Sequence, residues 1–140
     1  MGSAKVKQAM FVDVGSRDQE FINAVQEIRT RLLDIADVDK NNYTTVVIQG
    51  SGTFGIESVI SCAVKPNDAL LVLINGAYGE RILKIASTHH IATEVLRFEE
   101  NELVNPTIVE DVLKLKPHIT HVAMIHSETT TGLFNPIDTI

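Results

Sequence analysis

Cysteine is almost missing: the 140 residues contain one, Cys62. A lone thiol closes no internal disulfide, so the chain is expected to rely on an apolar core and to work in a reducing compartment, the cytoplasm. Tryptophan is absent, and four prolines and eight glycines are too few for a collagenous or low-complexity chain. Basic residues are outnumbered, with 12 Lys and Arg against 18 Asp and Glu and a net charge of -6. That balance argues against a nucleic-acid-binding surface. No apolar run approaches the roughly 20 residues needed to cross a bilayer. Met1-Gly2-Ser3-Ala4 leads into Lys5 without an apolar signal core. Neither a nucleic acid nor a membrane is expected as a partner. What is present is apolar: 44% of residues are hydrophobic, enough for a packed core within one domain.

That apolar content is arranged in alternating helical and strand periods. Ser16 with Gln19 three residues later reads as a capping box. Phe21, Val25, Ile28, Leu32 and Ile35 then give one apolar helical face to about Val38. Thr44 to Gln49 is a β-branched run of the kind expected for a strand buried on both faces. It stops at Gly50-Ser51-Gly52-Thr53-Phe54-Gly55, and a helix is expected from Ile56 to Val64. Further on, the pattern predicts a strand over Ala69 to Ile74, a helix from Ala77 to His89 and a strand through Thr93 to Phe98. Asn105-Pro106 reads as an N-cap and first-turn proline, so Pro106 to Leu115 is expected to be helical. A strand over His121 to His126 follows, and Pro136-Ile137-Asp138 reads as the opening of another helix. Strands separated by helices imply βαβ units, so the fold class is α/β with a mostly parallel sheet flanked by helices. Ending so soon after a strand, the chain is expected to be a truncated piece of its domain.

In open parallel sheets, ligands bind beyond the carboxyl ends of the strands, and three of these ends carry unusual residues. Gly50 to Gly55 opens a helix whose unpaired amides and positive dipole suit a phosphate, with Ser51 and Thr53 adding hydroxyls. The string also matches G-x-G-x-x-G, but the next strand ends at Asn75-Gly76, without the acidic residue that would hold a ribose. Tight helix–strand packing is the plainer reading of the same glycines. Asn75-Gly76-Ala77-Tyr78-Gly79-Glu80-Arg81 places an aromatic just past a strand end, where it would either stack on a planar ligand or pack on its own helix. His126-Ser127-Glu128-Thr129-Thr130-Thr131-Gly132 crowds donors and acceptors after a third strand, or is simply a polar loop. The histidines lack metal-ligand spacing, and no metal site is expected. Cys62, among Val59, Ile60 and Val64, reads as a buried inert thiol. Glu99, Glu100 and Glu102 read as a solvated cluster, and Arg17, Arg81 and Arg97 as structural or surface residues.

Taken in order, Gln49-Gly50-Ser51-Gly52-Thr53, Asn75-Gly76-Ala77-Tyr78-Gly79 and His126 to Gly132 resemble the class V aminotransferases of pyridoxal-phosphate fold type I. Lys5 to Met10 and the run from His126 to Asp138 are most similar to the branch acting on 2-aminoethylphosphonate and pyruvate. The resemblance implies transamination of these two substrates to phosphonoacetaldehyde and L-alanine, a step in phosphonate degradation, with pyridoxal 5'-phosphate as cofactor. By motif position, Ser51, Gly52 and Thr53 would hold the cofactor phosphate. Tyr78 would stack on its ring, and the Thr129 hydroxyl would reach the ring's oxygen side. A homodimer is implied as well. The lysine that bonds the cofactor, the acidic partner of its ring nitrogen and a C-terminal small domain are expected outside residues 1–140. Those residues would then be a partial cofactor-binding large domain, with no catalytic residue of their own and no activity alone. An alanine–glyoxylate type of aminotransferase and a non-catalytic nucleotide-binding α/β module are the alternatives.

Overall fold

The computed structural model describes residues 3–140, which fall into two units, Met1–Gln49 and Gly50–Ile140. The first unit holds α1 (Ala4–Ala9) and α2 (Gln19–Ile35). Ser3 starts α1, its Oγ accepting from the Val6 amide at 3.3 Å. The expected Ser16 cap of α2 is not formed: Asp18 takes the N-cap position. Asp18 and Gly15 close a turn on each other, the Gly15 amide donating to the Asp18 carboxylate at 2.7 Å. That turn uses residues 15–18 and delays the helix by one residue past Asp18. α2 also ends before Val38, because Asp37 adopts a left-handed φ of 51°.

Residues 44–49, expected as a strand buried on both faces, also depart from the pattern. They form no strand, and Val46 is 73% exposed. Their partner is α2: Arg29 Nε donates to the Thr45 carbonyl at 2.9 Å, and Thr45 Oγ1 donates to the Arg29 carbonyl at 3.0 Å. β propensity measures how well side chains fit a pleated surface. It produces a strand only where another strand supplies a ladder, and none pairs with this run among the described residues.

The second unit is built on Ala69-Leu70-Leu71-Val72-Leu73-Ile74, all buried. In chain order it comprises α3 (Gly52–Ala63), β1 (Ala69–Ile74), α4 (Ala77–Thr88), β2 (Ala92–Arg97), α5 (Pro106–Leu115) and β3 (His121–Met124). A hairpin of β4 (Ser127–Glu128) and β5 (Leu133–Phe134) follows, then a single 3-10 turn at Ile137–Thr139. β1 lies between β2 and β3. Both pairings are parallel, Leu70 facing Thr93 on one side and His121 on the other. The α/β class and parallel sheet expected from the sequence are present.

Alternation along β1 sends successive side chains to opposite faces, which explains two separate cores. Leu70, Val72 and Ile74 pack with Ile60, Val64, Ile82 and Ile85 of the α3 and α4 side. Leu71 and Leu73 pack with Val104 and Val109 on the α5 side. Each such side chain contributes about 1.5–3 kcal/mol of burial. α5 starts as expected, the Asn105 side chain accepting from the Thr107 amide at 3.0 Å with Pro106 behind it.

Four further expectations change here. α3 begins at Gly52 rather than Ile56, since Ser51 already serves as its N-cap. Cys62 is exposed, not buried. The inward stripe of α3 runs Ile56, Ile60 and Val64, and a residue two past Ile60 lies on the far side of a 3.6-residue turn. β3 stops at Met124, short of His126, because the chain turns off into the β4–β5 hairpin. The residues from Pro136 make only one 3-10 turn, not an α-helix.

Candidate functional site

α3 offers the first element of a site. Its N-cap Ser51 accepts through Oγ from the Phe54 amide at 3.4 Å, and through its carbonyl from the Gly55 amide at 3.0 Å. The amides of Gly52 and Thr53, in the first turn, have no intrahelical acceptor. Packing explains only one glycine of this turn: a Cβ on Gly50 would lie 2.6 Å from Phe54 Cδ1, whereas one on Gly52 or Gly55 would meet nothing within 4 Å. The space at the helix start is therefore open to a ligand, and tight packing alone does not account for the motif.

The Gly50–Gly55 turn follows no strand, contrary to expectation, but the motif at the end of β1 meets it. Arg81 on α4 donates through Nη1 to Thr53 Oγ1 at 3.1 Å. Its guanidinium carbon lies 4.6 Å from the Tyr78 ring centroid. Ser51, Gly52, Thr53 and Tyr78 thus belong to one connected surface, bridged by Arg81. The neighbouring Glu80 is engaged elsewhere, in an ion pair with Arg97 of β2.

The third motif is tied to the second by burial. Glu128 is fully buried. Its Oε1 accepts from Thr130 Oγ1 at 3.0 Å, while Oε2 has no partner among the described residues. Its side chain lies against Gly76, where a Cβ would come within 2.7 Å of Oε2. Behind it, Asn75 and Asn135 exchange side-chain hydrogen bonds of 2.9 and 3.1 Å. Asn135 also accepts from the Val104 amide at 3.1 Å and donates to the Ile125 carbonyl at 2.7 Å. Asn75 donates to the Glu102 carbonyl at 2.9 Å. With Asn75 committed to this network, the end of β1 presents no acidic residue for a ribose. Thr129 stands exposed in the hairpin, held in place by the buried Glu128 before it.

The aminotransferase class-V family matches residues 4–140. The chain belongs to the class-V aminotransferases. It is 45% identical over 139 residues to the 2-aminoethylphosphonate–pyruvate transaminase of Lactiplantibacillus plantarum, covering 99% of this chain and 38% of that protein. To the enzyme of the same name from Bacillus cytotoxicus it is 47% identical over 132 residues, 94% of this chain and 36% of the other. The chain therefore spans little more than a third of the length of these curated relatives. Among solved structures it resembles the ureidoglycine–glyoxylate aminotransferase of Bacillus subtilis, with TM-score 0.80 and 28% identity over 95% of this chain and 34% of that one. The alanine–glyoxylate aminotransferase of Nostoc sp. is similar at TM-score 0.79 and 27% identity, over 96% and 35%.

Within this aminotransferase chain, four residues of the strand-end cluster were not singled out by the sequence. In the sequence Asn75 reads as turn punctuation, Glu128 as one of several polar loop residues and Arg81 as a surface residue, and Asn135 carries no pattern of its own. Only the spacing of Tyr78 and Arg81, three apart on one helix and so on one face, carried a readable signal. Histidines engage carboxylates pairwise, His89 with Glu57 at 2.8 Å and His121 with Asp68 at 3.9 Å.

Proposed function

We propose that the protein carrying this chain transfers the amino group of 2-aminoethylphosphonate to pyruvate, giving phosphonoacetaldehyde and L-alanine. The supporting observation is the 45% identity to a transaminase of that name across 99% of the chain. The proposed cofactor is pyridoxal 5'-phosphate, and the donor set fits it. Two free amides, the Ser51 and Thr53 hydroxyls and the positive end of α3 face open space beside Gly52, the arrangement that favours a phosphate dianion. Tyr78 would bear on the cofactor ring, and the Thr129 hydroxyl on its oxygen substituent. When bound, that cofactor supplies the electron sink through which an amino group passes from donor to keto acid. The chain's own residues contribute binding and orientation: α3 fixes the phosphate, and the buried Glu128 holds the turn that presents Thr129.

Residues 1–140 are proposed to be part of the cofactor-binding large domain and to be inactive by themselves. Lys40, Lys114 and Lys116 are paired with Asp34, Glu110 and Glu94. Lys65 precedes β1 and Lys84 lies along α4, away from the strands' carboxyl ends. A cytoplasmic homodimer belongs to the same reading, with Cys62 a free thiol and Phe54, Val59 and Phe134 leaving apolar surface for a second copy.

The test is L-alanine formation by the full-length protein from 2-aminoethylphosphonate and pyruvate with added pyridoxal phosphate. Alanine is expected, and Thr53→Val should raise the cofactor concentration required about tenfold, the equivalent of one lost hydrogen bond to a charged group. No alanine from this donor, with turnover of other amino donors, would overturn the substrate assignment. The likeness to an alanine–glyoxylate aminotransferase favours one second reading, and glyoxylate in place of pyruvate tests it.

A further inference from the structure

We propose that Arg81 is a positioning residue for the cofactor phosphate, acting through the Thr53 hydroxyl; this rests on the pyridoxal-phosphate reading above. Three observations converge on it. Arg81 reaches from α4 to Thr53 Oγ1 on α3 at 3.1 Å. A threonine hydroxyl has one proton to give and two lone pairs to receive. With a lone pair taken by the guanidinium, the O–H is left as a donor at the helix start, beside the free amides of Gly52 and Thr53. The second observation is charge. Arg81 enters no ion pair among the described residues, and its neighbour Glu80 is turned to Arg97. In a chain of net charge -6, an unneutralised cation next to a helix N-terminus is matched to an anion. The third is shape. The guanidinium carbon lies 4.6 Å over the Tyr78 ring, a cation–π contact that holds the side chain beside Thr53. Lysine offers neither the plane nor the fork.

Arg81 is exposed, so filling the core is not its role. Its effect should appear on ligands that carry a phosphate and largely spare those that do not.

The experiment uses the full-length protein stripped of cofactor, titrated with pyridoxal 5'-phosphate and separately with pyridoxal, which lacks the phosphate. Arg81→Met, Arg81→Lys, Thr53→Val and the double variant Arg81→Met/Thr53→Val are compared by absorbance and fluorescence. Arg81→Met should weaken pyridoxal phosphate about tenfold and pyridoxal less than about twofold. Arg81→Lys should recover less than half of the loss on a logarithmic scale. The double variant should bind about as weakly as the weaker single one, since both changes break one arrangement. Equal losses for the two probes, full rescue by lysine, or additive losses in the double variant would each overturn the proposal. Wild-type protein that binds no pyridoxal phosphate would overturn the cofactor reading along with it. Wild-type protein that binds, with Arg81→Met unchanged, would overturn this inference alone.

Discussion

Replacing Asn135 by alanine tests whether the end of β1 is held by its buried amide pair. Asn135 is 1% exposed and engages Asn75 in both directions, the Val104 amide and the Ile125 carbonyl. Alanine removes all four bonds and leaves three buried groups without partners: Asn75 Oδ1, the Val104 N–H and the Ile125 carbonyl. A stranded buried polar group costs about 1–3 kcal/mol, and some relaxation toward water is available near a sheet edge. The expected total is about 3–5 kcal/mol, a large fraction of the roughly 5–15 kcal/mol that stabilises a domain. Asn75→Ala should cost somewhat less, since it strands the Glu102 carbonyl and half of the Asn135 amide. The double variant loses the shared pair only once, so its cost should fall short of the sum by about 1–2 kcal/mol. Urea unfolding followed by circular dichroism, with an unchanged m-value, reads these differences. An Asn135→Ala cost below about 1 kcal/mol, or strict additivity in the double variant, would refute the network as a source of stability.

Gly76→Ala should destabilise by about 1–3 kcal/mol, because the new methyl group enters the space of Glu128. In an Glu128→Ala background the same change should cost much less, and equal costs in both backgrounds would contradict the packing. The Glu94 carboxyl is held below its ordinary range, first by the hydrogen bond from Lys116 Nζ at 2.6 Å and then by that ammonium's charge. Because the folded value is depressed, the associated stability is present above the ordinary carboxylate range and is lost as pH falls through the folded value. Carbon-13 NMR should show Glu94 titrating below a free glutamate and moving up in Lys116→Met; no movement would exclude the pairing. Native Cys62 should react with a thiol reagent such as DTNB without denaturant, since it is exposed, and protection until unfolding would contradict its orientation on α3.

How much of this was readable from the sequence depended on whether local pattern and tertiary contact agreed. β1 and α5 stand where the periodicity placed them, because an unbroken apolar run and an Asn-Pro start each admit one solution. The run at residues 44–49 had the same β-branched character and yet forms no strand, since pairing is a property of the neighbour and not of the segment. Cys62 is exposed despite its apolar sequence neighbours, because neighbours in sequence on a helix face different directions in space. In the candidate site, Ser51 and Thr53 stand out as hydroxyls at a helix start and Tyr78 as an aromatic past a strand end. Arg81, Glu128 and Asn135 do not, because their roles arise from contacts with residues 28, 52 and 60 positions away: Thr53, Gly76 and Asn75.

The register of β1 also carries a history. Leu70 pairs with Thr93 through a crossover closed by α4, and with His121 only after the chain has travelled past α5. Shorter loops close at lower entropic cost and more quickly. The segment from β1 to β2 is therefore expected to close before β3 is added, an order that pulse-labelled hydrogen exchange during refolding would check. Tyr78 and Arg81 belong to that local unit on α4, whereas Glu128 and Asn135 lie beyond β3. The candidate site is accordingly joined across distance in the chain: its platform sits in the local β1–β2 unit, and the carboxylate and amide that brace it come from beyond β3.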